Sequence, residues 1–352
     1  MAMFAIGLLL WWLVPSQEPP AVLERVPKPD DLNLAAALQP IGSHGRFRDP
    51  DYFHWGASLI QSEDGTFHLF YSRWPRRLGF QAWLTHSEIA RAVSSQAAGP
   101  YQFVETVLTR SGIHPWEKIT AHNPKILVSE SRYFLYYIST FGGYDDSALE
   151  AIAQSGYGHA EWKPLRNRQR TGVATANSLA GPWLRSPQPI VQPEGPISNI
   201  TVNPAVCRRP QGDFLMIVKG DKPSSKTFRR NQAVALGAQP QGPFQIQAKP
   251  AIDTFDSEDV SLWYDASRRR YYAIYHAHDH LGLLTSTDSL QWQAARHPRV
   301  SEKSLALSEG GRLIPDRLER PYVFQLGGQP LLLCVAVKKG ADAYTALIPF
   351  KP

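Results

Sequence analysis

A group of about four short apolar segments, separated by polar turns, recurs five times along the chain of 352 residues. The first segment of each group opens on a polar motif, and successive motifs are 71, 81, 56 and 60 residues apart. Short strands that recur at a loose period of this length are typical of propeller blades, and about twenty strands are too many for one β-sandwich. The sequence therefore predicts an all-β fold, a five-bladed β-propeller. The five motifs are marked by Asp51, His122, Asn203, Asp259 and Glu319.

The first group illustrates the pattern. Two apolar runs, Ala57 to Ile60 and Phe67 to Tyr71, flank the polar turn Glu63-Asp64-Gly65. Because Gly supplies the positive φ that tight turns need, the pair is predicted to form a β-hairpin. The following segment, Ser87 to Ser94, has apolar positions compatible with a short helix. In a propeller the inner strand of each blade begins near the axis, so the five opening motifs are expected to converge at one mouth of the central channel.

The N-terminal 44 residues differ from the rest of the chain. Residues 5–14, AIGLLLWWLV, form an apolar run that is too short to span a bilayer as a helix but suits the core of a secretory signal peptide. We expect residues 1–16 to be a signal peptide or short N-terminal anchor, residues 17–44 a linker or strap, and residues 45–352 the catalytic propeller domain. The protein is expected to be exported, to the periplasm or the outside of the cell. Retention by the N-terminal segment is the alternative, with no other stable membrane insertion.

Charge and cysteine content bear on the partners. The 37 Lys and Arg residues against 31 Asp and Glu give a net charge of +6, which leaves an anionic polysaccharide open as substrate. The Arg groups are scattered and belong to no nucleic-acid-binding module, so nucleic acid is not an expected partner. Cys207 and Cys334 lie in apolar strand-like runs without metal-ligand spacing. We expect two buried small side chains, with a disulfide between them as the alternative; the oligomeric state stays open.

Carboxylates recur in the opening motifs. Asp51 in unit one, Glu258 and Asp259 in unit four and Glu319 in unit five are expected to face a common pocket. Glycoside hydrolysis needs one carboxylic acid to protonate the leaving oxygen and a second carboxylate to activate water or attack the anomeric carbon. Neighbouring carboxylates raise the pKa of the acid, so a third can tune it. Aromatic side chains offer stacking faces for sugar rings, and the candidates are Trp55, Trp74, Trp83 and Trp263.

The order of the motifs resembles that of a known group of enzymes. The motifs DPDYFHWG and SRWP, HNP, TVNP, EDV and ERP, in units one to five, are similar to those of five-bladed β-propeller glycoside hydrolases of families 43 and 117 and related uncharacterised groups. The likeness covers residues 45 to 350. Family 43 would place Asp at Asn123 and Glu at Asn203, so family 117 looks closer. The repeated segments Gly99-Pro100-Tyr101, Gly181-Pro182-Trp183 and Gly242-Pro243-Phe244 belong to the same pattern.

The resemblance and the chemistry together suggest a role for each residue. Asp51 is the candidate general base, with Asp49 as its substitute. Glu319 is the candidate acid and Asp259 its tuner, and Glu258 could exchange roles with Asp259. The expected substrate-binding residues are Asp49, His54, Trp55, Arg73, His122, Asn123, Asn203, His276 and Arg320.

Each assignment has a structural alternative. Asn123 and Asn203 precede Pro, and an Asx residue before Pro is a common turn starter. Asp51 could be a solvated loop residue, and Glu319-Arg320 could be an ion pair that bridges the last blade to the first. The run HAHDH at 276–280 alternates as strand residues or metal ligands do, yet an exposed loop is favoured, and no metal site is expected.

We therefore expect an exported glycoside hydrolase that cleaves a plant or algal poly- or oligosaccharide, by inversion and without a cofactor. A structural divalent cation in the central channel is an open alternative. A non-catalytic carbohydrate-binding propeller is a second candidate, in which Asn123 and Asn203 mark lost chemistry. A glycoside phosphorylase is a third, for which Arg73, Lys219 and Arg320 could form a phosphate pocket.

Overall fold

The computed structural model describes residues 28–351. In it the chain forms five antiparallel four-stranded sheets, arranged as the blades of a propeller around a central channel, so the predicted fold is confirmed. The expected signal peptide or anchor at residues 1–16, and residues 17–27 of the expected linker, lie outside the described residues. Among residues 28–351, no helix is long and apolar enough to cross a membrane.

The first four blades follow chain order from the axis outward. The chain enters the propeller through β1 (Arg46–Phe47). Blade one contains β2 (Tyr52–Gln61), β3 (Phe67–Pro75), β4 (Glu88–Ser94) and β5 (Gln102–Leu108), and blade two contains β6 (His122–Ser129), β7 (Arg132–Thr140), β8 (Gln169–Ala176) and β9 (Leu184–Arg185). Blade three contains β10 (Ser198–Arg208), β11 (Phe214–Asp221), β12 (Arg230–Gly237) and β13 (Gln245–Ile252), and blade four contains β14 (Glu258–Asp265), β15 (Arg270–His276), β16 (His280–Ser286) and β17 (Gln293–Glu302). A two-stranded ribbon, β18 (Leu305–Ala306) and β19 (Arg312–Leu313), precedes blade five, which contains β20 (Arg317–Leu326), β21 (Gln329–Lys339) and β22 (Asp342–Pro349).

Blade five takes its outer strand from the start of the propeller. β1 pairs antiparallel with β22, so that Arg46 lies opposite Ala346 and Phe47 opposite Thr345. The resulting sheet order, β20-β21-β22-β1, ties the two ends of the ring together. Pairing of this kind covers a sheet edge that would otherwise be exposed. A two-residue strand carries no sequence pattern, so this closure could not be foreseen.

One predicted element is wrong: the segment Ser87 to Ser94 is not a helix, because its residues form β4. Ile89 is buried between blades one and two, whereas Ala90 and Ala92 are buried between blades one and five. A strand that is covered on both faces loses the polar alternation by which strands are recognised. The resulting spacing of apolar residues also fits a helix.

Residues 28–351 also contain four short α-helices: α1 (Leu34–Ala37), α2 (Trp83–His86), α3 (Asp146–Ser155) and α4 (Trp162–Arg166). The longest, α3, is capped by Asp145, whose carboxylate accepts a hydrogen bond from the Ala148 N–H at 2.8 Å. Leu149 and Ile152 form its buried stripe and pack with residues of α2 and α4. The connection between β7 and β8 therefore holds a compact helical insert.

Residues 28–44 cross blades four and five. Leu32 and Leu34 are buried in the apolar layer between these two blades. Asp30 accepts a hydrogen bond from the Tyr272 hydroxyl at 2.8 Å. These contacts hold the segment against the propeller as a strap.

The two cysteines are buried free thiols in different layers of the core. The expectation of two buried small side chains is therefore confirmed, and the alternative of a disulfide is wrong. Burial raises the pKa of Cys334 to about 12, so this thiol is protonated near neutral pH.

Candidate active site

The inner strand of every blade is interrupted by a β-bulge at the same height. The pairing register of β2 with β3 shifts between Trp55 and Ser58, and equivalent shifts occur in β6, β10, β14 and β20. Within each bulge one residue has a φ between 54° and 58°. These five residues, here called the axial ring, are Gly56, Asn123, Asn203, Asp259 and Arg320.

Hydrogen bonds join consecutive members of the axial ring. Asn123 Nδ2 donates to Asn203 Oδ1 at 2.7 Å, and Asn203 Nδ2 donates to Asp259 Oδ1 at 2.5 Å. Arg320 Nη1 donates to the same oxygen of Asp259. Gly56 fills the last place, where an added Cβ would lie 2.4 Å from Asn123 Oδ1. The side chains of the axial ring thus divide the central channel, and one cavity lies on each side of the ring.

The cavity at the mouth where the inner strands begin is the candidate active site. Its volume is about 710 Å³, within the range of small-ligand sites. The residues that directly precede the axial ring contribute to its floor, and the helical insert and the connection between β11 and β12 contribute to its walls. Side chains far apart in the sequence meet here because the inner strands of all the blades begin at this mouth.

One side of the cavity, here called the aromatic wall, consists of Trp55, Trp74, Phe80, Trp83 and Trp162. The ring centroid of Phe80 lies 5.3 Å from that of Trp55 and 5.6 Å from that of Trp74. Trp83 contacts Trp162 edge to face at 5.7 Å, which joins blade one to the helical insert. Phe80 and Trp83 are half-buried and offer rigid apolar faces on which a pyranose or furanose ring can stack, whereas Trp55, Trp74 and Trp162 are buried and support them.

His122 lies beside the aromatic wall. Its ring stacks on Trp83 at 5.5 Å, and its Nδ1 is 2.6 Å from Ser87 Oγ. Burial, reinforced by the charge of Arg320, holds the pKa of His122 well below its usual range. His122 is therefore neutral near pH 7 and can serve as a hydrogen-bonding group in the cavity.

Glu258 is the carboxylate that blade four contributes to the cavity, with 14% of its side chain exposed. Lys219 Nζ contacts one carboxylate oxygen and Arg230 Nη1 the other. Burial opposes ionisation of Glu258, but the two cations outweigh it and hold the pKa well below its usual range. Glu258 is therefore negatively charged throughout the neutral pH range.

Asp259, the next residue, belongs to the axial ring, and only 2% of its side chain is exposed. Burial opposes its ionisation too, but Arg320, Lys219 and His276 outweigh it and lower the pKa of Asp259. His276 Nδ1 lies 3.2 Å from Asp259 Oδ2. Although burial works against protonation of His276, the charge and hydrogen bond of Asp259 raise its pKa. The negative charge of Asp259 thus orients the side chains of Arg320 and His276.

Glu319 is the second carboxylate of the cavity floor, contributed by β20 with 14% of its side chain exposed. Its one ion pair within residues 28–351 is with Arg317 at 3.6 Å, and the Arg317 guanidinium lies over the Phe80 ring at 5.5 Å. Glu319 is therefore much less tightly paired than Glu258. Two carboxylates of unequal environment face one cavity beside an aromatic surface.

The structure brings together some of the predicted site residues and separates others. Those that line the cavity are Trp55, His122, Asn203, Glu258, Glu319 and Arg320. Those buried and linked by hydrogen bonds to members of the axial ring, without lining the cavity, are Asn123, Asp259 and His276. Those placed elsewhere are Asp49, Asp51, His54 and Arg73.

Asp51 is not in the cavity, contrary to the sequence-based expectation. Its side chain is exposed, and Asp49 accepts hydrogen bonds from the backbone N–H groups of Asp51 and Tyr52 at 2.8 and 3.1 Å, which closes a local turn. The reason is the register of β2. The bulge residue of blade one is Gly56, five positions after Asp51, so the residue that reaches the cavity from this strand is Trp55.

His54 and Arg73 also lie away from the cavity. His54 is buried between Phe47 and Tyr71, with ring centroids at 4.6 and 4.5 Å, and burial lowers its pKa to about 4. Arg73 pairs with Glu88 at 2.8 Å within blade one. Without Arg73, the phosphate pocket expected for a phosphorylase is not assembled.

Sequence reasoning missed most of the basic residues of the cavity. They lie on connections between strands or on the first residue of a strand, and a strand pattern does not predict the course of the chain there. The available signal was local: Lys and Arg are dense between positions 219 and 230. The missed cavity residues are Lys163 and Arg166 on the helical insert, Lys222, Lys226, Arg229 and Arg230 after β11, and Arg317 at the start of β20.

A second cavity, of about 580 Å³, opens at the opposite mouth of the channel. It includes Trp263, which is therefore not part of the aromatic wall. It also includes Lys125, whose Nζ lies 3.5 Å from the Pro321 carbonyl oxygen and 4.9 Å from the centre of the Tyr322 ring. Burial lowers the pKa of Lys125 to about 8.

The channel does not fit a divalent cation. The axial ring already holds the guanidinium of Arg320 against Asp259, and the ammonium of Lys125 lies in the second cavity. Within residues 28–351, no group of three or more His, Cys, Asp or Glu side chains is arranged to hold a metal ion. Of the histidine run, His276 is buried at the end of β15, and His280 pairs with Asp279 at 2.7 Å.

Several solved structures with the same fold are glycoside hydrolases. Zg3597, a family 117 glycoside hydrolase from the marine bacterium Zobellia galactanivorans, has a TM-score of 0.61 at 14% identity over 91% of each chain. A thermostable family 43 glycoside hydrolase has a TM-score of 0.57 at 10% identity over 87% of this chain and 96% of that one. The GH43_1 enzyme from Xanthomonas citri, solved with xylotriose, has a TM-score of 0.54 at 14% identity over 90% and 91%.

The likeness establishes the fold. No protein-family model matches the sequence, and no curated protein matches it significantly. At 10–14% identity the three solved structures show that this chain adopts the five-bladed propeller seen in families 117 and 43. The expectation that the motif order raised for the fold is thereby confirmed.

Proposed function

We propose that the protein is a glycoside hydrolase whose active site is the cavity above the axial ring. The observation that carries the proposal is the pair of carboxylates, Glu258 and Glu319, that two blades direct into one cavity beside the aromatic wall. Glycoside hydrolysis requires two carboxyl groups of different character, one ionised and one able to give a proton. The occurrence of the same fold in glycoside hydrolases of families 117 and 43 supports this assignment.

Glu319 is the proton donor in this proposal, because it is the less tightly paired of the two carboxyl groups. Glu258 is the ionised carboxylate, held in that state by Lys219 and Arg230. It faces the positive charge that develops on the sugar and orients the attacking water. As the glycosidic C–O bond breaks, the leaving oxygen takes the proton of Glu319. Water then adds to the anomeric carbon and passes a proton to Glu258.

Asp259 acts through its neighbours in this scheme. It binds Arg320 and His276 and thereby fixes the positions of the two strands that carry Glu258 and Glu319. We further propose inversion at the anomeric carbon, a plant or algal poly- or oligosaccharide as substrate, and export of the protein, the last on the apolar run at residues 5–14. Product analysis by NMR during the first turnovers tests the stereochemistry, and cell fractionation tests the export.

The assignment is tested by digestion of a glycan panel with release of reducing ends as the readout. Glu319→Gln and Glu258→Gln keep the side-chain volume and remove the acid or the charge, and each is expected to lower kcat by at least about a hundredfold. Glu63→Gln, in the exposed turn of the first hairpin, is the matched control and should leave turnover unchanged. Unaltered hydrolysis in both cavity variants would remove the assignment.

A non-catalytic carbohydrate-binding propeller is the second candidate. It is favoured by one observation: both oxygens of Glu258 are already engaged by Lys219 and Arg230, which weakens that carboxylate as a base. Binding of glycans by the wild-type protein without any product over long incubation, with or without added phosphate, would decide for this candidate.

A further inference from the structure

The lining of the candidate active site is strongly unbalanced in charge. Nine Lys and Arg side chains line it against three carboxylates, those of Asp221, Glu258 and Glu319. A buried cation is costly without a counter-ion, so each cation is expected either to pair with a carboxylate of the protein or to stay solvated and open to an anionic ligand. Which of the two applies can be read from the partners of each cation.

Five of the nine cations are bound to carboxylates of the protein. Arg166 makes a two-pronged contact with Asp221, at 2.5 and 2.7 Å. The other pairs are Lys219 and Arg230 with Glu258, Arg320 with Asp259, and Arg317 with Glu319. The charges of these five cations are balanced by carboxylates of the protein, so the five are not free to bind a ligand.

The remaining four have no carboxylate partner within residues 28–351. They are Lys163 on the exposed side of α4 and Lys222, Lys226 and Arg229 on the connection from β11 to β12, and we call them the basic wall. Lys222 Nζ and Arg229 Nη2 each donate to the carbonyl oxygen of Asp253 at 3.0 Å, which leaves further donors on both groups. Arg229 Nε is buried without a partner in the described part of the chain.

The basic wall belongs to the same cavity as the aromatic wall and the two carboxylates. Phe228, whose side chain is exposed, links it to the floor, because the guanidinium groups of Arg166 and Arg230 each lie 5.2 Å from its ring centre. A saccharide in this cavity would therefore occupy a space that is lined by unpaired cations as well as by aromatic rings. Ammonium and guanidinium groups bind carboxylate and sulfate oxygens through charge-assisted hydrogen bonds.

We propose that the basic wall is a subsite for an acidic substituent of the substrate, a carboxylate or a sulfate ester, so that the enzyme selects acidic over neutral saccharides. This inference rests on the proposed function in that it assigns the cavity to a saccharide. It adds the class of saccharide and the residues that select it.

The test measures binding by titration calorimetry to the Glu319→Gln variant, in which turnover is suppressed. The carboxylate probe is oligogalacturonate, compared with its methyl ester. The sulfate probe is a sulfated galactan oligosaccharide, compared with its desulfated product. At least one acidic probe is expected to bind about tenfold or more tightly than its neutral counterpart, and the difference should shrink as salt is raised.

The residues are tested by the double substitution Lys222→Ala with Lys226→Ala. The affinity for the acidic probe should fall about tenfold or more, while that for the neutral counterpart stays unchanged. Lys249→Ala, an exposed lysine on the outer strand of the same blade, is the matched control and should change neither affinity. Equal affinities within both pairs, no binding of any probe, or a double variant that keeps the preference would each overturn the subsite.

Failure of the subsite and failure of the hydrolase assignment give different results. If the wild-type protein cleaves neutral glycans and shows no preference for acidic ones, the basic wall is not a subsite but the hydrolase stands. If acidic probes bind selectively and no glycan is cleaved by the wild-type protein, the subsite stands and the hydrolase assignment falls.

Discussion

The Asn203 side-chain amide donates a hydrogen bond to Asp259 Oδ1 at 2.5 Å, from the inner strand of blade three to that of blade four. The same carboxylate accepts a hydrogen bond from Arg320 of blade five, and its Oδ2 lies 3.2 Å from His276 Nδ1. Asp259 is adjacent in sequence to Glu258, so the ring that holds the blades together also sets the position of a cavity carboxylate. In this propeller, fold stability and site geometry depend on the same few side chains.

Replacement of Asn203 by Asp should destabilise the protein at pH 7 by about 2–4 kcal/mol. The substitution keeps the side-chain volume but removes the amide donor and places a second carboxylate beside Asp259. The pair would then hold a shared proton, so the folded-state pKa of the new group is raised above its unfolded value of about 4. Its contribution is therefore most favourable at low pH and is lost as pH rises through the folded pKa.

The measurement is chemical denaturation of both proteins at pH 7 and pH 5. The deficit of Asn203→Asp against the wild type should be smaller at pH 5. Asn167→Asp, at the half-buried rim of the same cavity and next to Arg166, is the control and should cost little at either pH. A variant as stable as the wild type at pH 7 would show that the ring bond contributes nothing.

Gly56→Ala should destabilise the protein by more than its backbone conformation alone requires. An alanine at a φ of 57° costs about 1 kcal/mol, and here its Cβ would also lie 2.4 Å from Asn123 Oδ1. Gly340 has the same φ of 57° in an open turn, with nothing within 4 Å of an added Cβ. Gly340→Ala therefore isolates the backbone cost, and equal losses in denaturation midpoints would contradict the close approach seen in the ring.

The fold could be predicted because its signal is repeated. Four of the five ring positions were already marked in the sequence, as Asn123 and Asn203 before proline, Asp259, and Arg320 before proline. Repetition makes a single misplacement harmless to the fold. The two-residue closing strand and the helical insert were not foreseen, because neither carries a repeated pattern.

The site could be predicted only in part, because it depends on single registers and on pairing. In blade one the motif pattern points to Asp51, the acidic residue nearest the start of the hairpin. The bulge of this blade lies five positions further on, at Gly56, and Asp51 is therefore outside the cavity. Which carboxylate is held ionised depends on Lys219 and Arg230, which reach Glu258 from β11 and β12. Contacts of that kind have no signature in one sequence.

Lys219→Met should move the acid limb of the pH–rate profile to higher pH. Burial opposes the ionisation of Glu258, and Lys219 and Arg230 hold its pKa well below its usual range, so loss of one cation raises that pKa. Hydrolysis needs the ionised form of Glu258 in the proposed mechanism, and activity is lost as pH falls through its pKa. The profile of kcat/KM, taken from the lowest pH at which both proteins stay folded up to pH 8, measures the shift.

Lys249→Met, which changes a lysine outside the cavity, should leave the acid limb in place. Thermal unfolding of Lys219→Met at each pH separates loss of folding from loss of charge. A folded variant with an unmoved acid limb would show that Glu258 is not the group whose ionisation limits turnover.

Lys125→Met should stabilise the protein, with an effect that fades as pH rises from about 8 to about 10.5. Burial in the channel lowers the pKa of Lys125 to about 8, so at pH 7 the folded protein carries a buried charge that destabilises it by about 3 kcal/mol relative to the unfolded chain. Between the two pKa values only the unfolded chain keeps the proton, so this cost is relieved with rising pH.

The difference in unfolding free energy between variant and wild type, taken by denaturant titration at pH 7, 8.5 and 10, isolates Lys125 from the tyrosines and cysteines that titrate in both proteins. Lys249→Met is the exposed control, and its unfolding free energy should differ from that of the wild type by the same amount at each pH. If Lys125→Met is less stable than the wild type at pH 7, the contacts of the ammonium with Pro321 and Tyr322 outweigh the cost of its burial.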